Sequence, residues 1–172
     1  FARQVFAENH GRSSLAVLAC ENLMLQARLE FDNPNKLIYE IPSLIQKVKN
    51  RSQSQTKLEL DFQATLARAL LKSGNARGAV KEWKSVIRSK KKFIKEAQLG
   101  LTNDLNGLAE AEISCGEFNN AIVTLTESIE THSAFLQTNL FHLTDSERLN
   151  LARGEVAVQR LLSLIVSMGF ED

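Results

Sequence analysis

Apolar residues recur along most of this chain three and four positions apart, the spacing of helices that bury one face. Leu66, Ala67, Ala69, Leu70 and Leu71 form one such face. After an intervening glycine, Ala79, Val80, Trp83, Val86 and Ile87 form another at i, i+3/i+4 and i+7. With only 8 Gly and 2 Pro, the chain lacks the turn punctuation that a β-sandwich of its length needs roughly every ten residues. Ala, Leu, Glu, Lys and Gln fill the long segments, and these lose little freedom in a helix. The pattern predicts an all-α chain of about seven helices.

The pattern also repeats. Gly74 and Gly116 stand 42 residues apart in matching surroundings. Aligned on them, Leu66 matches Leu108, Ala67 matches Ala109, Ala69 matches Ala111, and Leu71 matches Ile113. Beyond the glycines, Ala79 matches Ala121, Trp83 matches Leu125, and Ile87 matches Ile129. Small residues at Ala67/Ala109 and Ala79/Ala121 let antiparallel helices approach, and Trp83 or Leu125 fills the space beside them. Trp83 is expected to be buried against Ala67. Each glycine is expected to take the left-handed conformation that ends the first helix of a pair.

One period earlier, Phe31–Asn35 (FDNPN) is the strongest turn sequence in the chain. The stretch before it reads as a helix capped by Ser13 or Ser14. Leu37, Ile41, Leu44 and Ile45 take the places of Ala79, Trp83, Val86 and Ile87. Pro42 interrupts that segment, so its regular helix is expected from Pro42 to Asn50. Near the other end, Thr144 and Glu147 form a capping box that opens a long helix, with a possible break at Gly154. The expected architecture is a single domain, 1–172: an antiparallel helix-pair solenoid with repeats at about 13–52, 58–93 and 98–133 and a capping helix at about 144–168.

Leu66–Ala67, Gly74, Ala79 and Trp83, with the weaker copy Leu108–Ala109, Gly116, Ala121 and Leu125, resemble the signature of the tetratricopeptide repeat. The period here exceeds that family's usual value of about 34 residues, and its proline after the second helix is replaced by Ser89–Phe93 (SKKKF). Both departures imply longer helices. The resemblance implies a concave surface lined by the first helix of each pair, where a protein or peptide partner, or another domain of the same parent chain, would bind. In that register the row includes Asn22 and Gln26, then Ala64 and Arg68, then Asn106 and Glu110. The Lys/Asn clamp that some members use for a terminal carboxylate is not reproduced, because Ala64 and Arg68 occupy its places. A second stretch, Ala134–Ile165, with Leu143–Leu149 at its heart, resembles the helical region that links such arrays to CHAT-type, caspase-like protease domains in bacterial proteins. That resemblance implies a regulatory arm of a larger protease, whose catalytic His and Cys would lie beyond Asp172.

Charge sharpens the picture. From Lys36 to Lys95 there are fifteen Lys and Arg against four Asp and Glu; from Glu96 to Asp172 there are three against twelve. The basic half could attract an acidic peptide or a phosphate backbone, or it could be a solvated outer face. Lys90–Lys92 suit the latter, as cations at a helix C-terminus. Nucleic acid is the less favoured ligand, since Phe93 alone is interleaved with the basic run and the acidic half repels a polyanion.

No catalytic constellation, cofactor motif or metal-ligand spacing assembles from Cys20, Cys115, His10, His132 and His142, and both cysteines read as small buried hydrophobes. No apolar run approaches the roughly 20 residues of a membrane span. With no targeting segment visible, a cytoplasmic protein without a membrane partner is expected. Because it starts at Phe1 rather than Met, the chain is expected to be a piece of a longer one.

Overall fold

The computed structural model describes residues 15–51, 57–93, 98–139, 158–160 and 162–166. Among the described residues six helices follow one another: α1 (Leu15–Arg28), α2 (Pro34–Lys49), α3 (Lys57–Lys72), α4 (Ala76–Phe93), α5 (Gln98–Ser114) and α6 (Phe118–Asn139). Residues 158–160 and 162–166 are helical as well, and no strand occurs among the described residues. The proposed caps at Ser13, Ser14 and Thr144–Glu147, the break at Gly154 and the segment Leu143–Leu149 lie outside the described residues. The chain divides into two compact units, Phe1–Glu82 and Trp83–Asp172, and the division falls within α4.

In the first unit, α2 packs against α3, and α1 against both. Leu18, Leu25 and Leu29 of the α1 segment, Leu37, Ile41, Leu44, Ile45 and Val48 of α2, and Phe62 and Ala69 of α3 form one buried cluster. Lys72 reaches back from α3 to cap α1, its Nζ 3.0 Å from the Leu29 carbonyl and 2.9 Å from a Glu30 carboxylate oxygen. That adds a second cation and a donor to a helix end that already carries Arg28.

The start of α2 differs from expectation. The helix begins at Pro34, not Pro42, and runs unbroken to Lys49. Asn33 caps it, its side chain accepting from the Asn35 amide at 2.9 Å. Pro34 takes the first helical position, where a missing N–H costs nothing. Pro42 lies on the exposed side, where the carbonyl it leaves without a partner can turn to water. Beside it the Ser43 hydroxyl donates to the Glu40 carbonyl at 2.8 Å. The five buried residues of α2, each worth about 1.5–3 kcal/mol on burial, outweigh an interior proline's cost of about 3 kcal/mol.

The two glycine turns are alike in detail. Gly74 has φ +86° and Gly116 φ +76°. At the first, the Gly74 amide donates to Leu71 at 3.0 Å and the Asn75 amide to Leu70 at 2.9 Å. At the second, the Gly116 amide donates to Ile113 and the Glu117 amide to Glu112, both at 2.9 Å. Both are Schellman ends, which satisfy helix carbonyls and need a residue without Cβ strain at the left-handed position. Asn75 then caps α4, its side chain accepting from the Gly78 amide at 3.0 Å.

In the second unit, α5 packs against α6, with Ala109, Leu125 and Ile129 at the contact. Trp83, on α4, is fully buried at 0% exposure. Gly107 of α5 lies against its ring: a Cβ built there would come within 2.6 Å of the indole.

Candidate functional site

The six residues of the proposed first-helix row have distinct fates. Asn22 is buried on α1, with its Oδ1 2.9 Å from the Thr65 hydroxyl of α3. It ties two helices together and offers nothing to an incoming chain. Ala64 is buried too. Gln26 and Arg68 are half-buried and reach the surface of the first unit.

In the second unit, Asn106 is half-buried and accepts a hydrogen bond from the Ser128 hydroxyl of α6 at 2.7 Å. Glu110 is exposed and faces Arg160 of the C-terminal helical stretch, with 3.2 Å between Oε2 and Nη1. Of the polar groups on the row, Glu110 is exposed and Gln26, Arg68 and Asn106 are half-buried. Sequence spacing alone gave no means of telling Asn22 from them.

Glu110 also borders a groove of about 610 Å³, lined by Glu110, Ile113 and Ser114 of α5 and by Gln159, Arg160, Ser163 and Leu164. An acid, a guanidinium, two hydroxyls and an amide surround an apolar floor in which Leu164 is buried. Such a lining can hold a peptide backbone by hydrogen bonds and a small apolar side chain by burial.

Part of the charge asymmetry is met within the second unit. Lysines on the C-terminal half of α4 meet carboxylates of α5 and α6. Lys84 pairs with Glu112 at 3.1 Å, Lys90 with Asp104 at 2.6 Å, and Lys91 with Glu127. Glu112 is buried and also accepts from the Thr124 hydroxyl at 2.8 Å. Lys90–Lys92 are thus not uniformly a solvated end. Lys90 is 7% and Asp104 2% exposed, a buried pair, while Lys92 remains at the surface. Within the second unit the basic end of α4 and the carboxylates of α5 and α6 attract one another, and the step in charge after Lys95 was the readable signal.

Cys20 and Cys115 are free and half-buried rather than buried. One lies on the outer side of α1, and the other in the turn after α5, where packing is incomplete. His132 is buried on α6, and its Nδ1 has no hydrogen-bond partner among the described residues. Burial lowers its pKa below the ordinary 6.5. His10 and His142 lie outside the described residues. No group of three or more His, Cys, Asp and Glu residues placed to hold a metal ion occurs among the described residues. No described helix is long and apolar enough to cross a membrane. Compared with known protein families, with curated proteins and with solved structures, the chain finds no match.

Proposed function

We propose that this chain is a tetratricopeptide-like helical-repeat module that binds a protein or peptide segment along the first helices of its pairs. One observation carries the reading: the small residues, the large residue beside them and the turn glycines that match at a 42-residue interval share a fate. Ala67, Ala69 and Ala79 and their counterparts Ala109, Ala111 and Ala121 are all buried, as are Trp83 and Leu125, and both glycines sit in identical turns. A repeat built this way spends its apolar residues on neighbouring helices and leaves the intervening polar side chains for a ligand. Glu110, which is exposed, and Gln26 and Arg68, which are half-buried, are the proposed contacts; a guanidinium such as that of Arg68 can grip a carboxylate through two parallel hydrogen bonds.

The test is affinity capture from a cell lysate with the wild-type chain and with Arg68→Glu and Glu110→Lys. The reading predicts one partner recovered by the wild type, lost with Arg68→Glu, and melting temperatures altered by no more than about 4 °C, since a surface ion pair contributes at most about 1 kcal/mol. Equal recovery by all three proteins would remove this face from the binding site.

A further inference from the structure

We propose that the C-terminal helical stretch, residues 158–160 and 162–166, is a latch on the α5 groove, which a basic helical segment of the partner displaces. Every residue involved lies in the second unit. The inference rests on the reading that Glu110 contacts the partner, because Glu110 is where the latch closes. On α5, Glu110, Ile113 and Ser114 are spaced i, i+3 and i+4 and share one side of the helix. Arg160 and Leu164, spaced i and i+4, share one side of the stretch. Arg160 Nη1 stands 3.2 Å from Glu110 Oε2, and Leu164 is buried in the floor of the groove.

Three observations mark this contact as one that opens. The stretch keeps its apolar side in solvent: Val158, Leu162, Ile165 and Val166 are 40–57% exposed. At 100° per residue these four fall within an arc of about 100°, and Arg160 and Leu164 lie on the opposite side. A helix seated permanently buries its apolar stripe; here Leu164 is the one buried residue among those described in the stretch. The pair that closes the latch is itself at the surface, with the Arg160 and Glu110 side chains 39% and 51% exposed. Surface ion pairs hold weakly, and elements with few buried apolar contacts open at lower free energy than the core does. Finally, a groove of about 610 Å³ stays open between α5 and the stretch, so the stretch does not fill the space it lies over.

The face also selects its occupant. Of the three α5 residues in the lining, Glu110 alone is charged. With Arg160 withdrawn, this side of α5 attracts a guanidinium or ammonium group and repels phosphate and carboxylate. A nucleic-acid backbone and an anionic membrane are therefore disfavoured by the same side chain that holds the latch. Arg160 and Leu164 display the arrangement that fits: a cation, with an apolar side chain four positions on. A partner helix carrying that pair meets Glu110 and the apolar floor at once.

The probe is a fluorescent peptide copying residues 158–166 between alanine–glutamine flanks, titrated into the full chain and its variants and followed by anisotropy. We expect Arg160→Ala/Leu164→Ala to bind it about tenfold more tightly than the wild type, since a latch closed about nine-tenths of the time raises the apparent Kd about tenfold. Adding Glu110→Arg should abolish binding, and a peptide with glutamate in place of its arginine should restore it. Amide hydrogen exchange in the wild type should show residues 158–166 opening at least about tenfold faster than α5, and faster again in the double variant, with α6 unchanged.

Equal affinity of the wild type and the double variant, or no binding to either, would overturn the proposal. So would binding that survives Glu110→Arg, which would put the peptide elsewhere. Exchange at residues 158–166 as slow as in α5 would make the stretch a fixed cap and overturn it too. If Arg68→Glu abolishes partner capture while the peptide assay fails, the latch alone falls. If the peptide behaves as expected while the wild type, Arg68→Glu and Glu110→Lys capture equally, the partner-binding reading falls instead.

Discussion

Replacing Lys90 by alanine tests whether the charge of the basic segment is structural. Its Nζ lies 2.6 Å from Asp104 Oδ2, and both residues are more than nine-tenths buried. At an effective dielectric constant of about 20, the attraction at that distance is roughly 6 kcal/mol, most of it offset by taking two ions out of water. Removing the lysine leaves Asp104 charged in the interior, and the expected loss is about 3–5 kcal/mol. For a chain of this size that corresponds to a melting temperature lower by roughly 6–20 °C. Thermal unfolding followed by circular dichroism at 222 nm reads this directly. Lys90→Met/Asp104→Leu should recover most of the loss, since an apolar pair of similar volume substitutes well for a buried ion pair. Lys92→Ala, on the exposed side, should change stability by no more than about 0.5 kcal/mol. A Lys90→Ala melt within 2 °C of wild type, at about 2–4 °C per kcal/mol, would show that the pair is not formed in solution.

Other consequences follow from the same packing. Trp83→Ala should cost about 3–5 kcal/mol, and the wild-type emission should be that of a buried indole; a spectrum of exposed indole would show the register to be wrong. Gly107→Ala should lower the melting temperature, because a Cβ within 2.6 Å of the indole forces a shift whose cost, about 1–3 kcal/mol, exceeds the roughly 1 kcal/mol gained in helix propensity. Gly100→Ala, where an added Cβ meets nothing, should raise it. His132 has its folded pKa below its unfolded value of 6.5, so the unfolded chain takes up its proton first. Stability tied to this residue is complete above pH 6.5 and declines as pH falls through the folded pKa. Urea titrations between pH 7.5 and 5 should show a decline that is shallower in His132→Gln, and identical slopes would refute the assignment.

How far the sequence could be read depended on the kind of constraint at each position. Gly74 and Gly116 were legible because a positive φ is nearly confined to glycine, and their matched neighbours fixed the helix ends on either side. The burial of Ala67, Ala79 and Trp83 followed from helical spacing for the same local reason. Pro42 misled because a proline's effect depends on which side of the helix it occupies, and its neighbours had a complete start available at Asn33–Pro34. Asn22 and Lys90 misled in the same way. Polar residues are expected outside, and the partners that bring them in, Thr65 and Asp104, are 43 and 14 residues distant along the chain. Gly107 passed unnoticed because it ends no helix; only the indole lying against it explains the absence of a side chain.

Site-specific photo-crosslinking tests the binding role most directly. A benzophenone side chain placed at Arg68, at Glu110 or, as a control, at the exposed Tyr39 of α2 would be irradiated in lysate and the adducts identified by mass spectrometry. The account predicts that positions 68 and 110 capture the same protein and that position 39 does not. Capture from position 39 with none from 68 or 110 would contradict it.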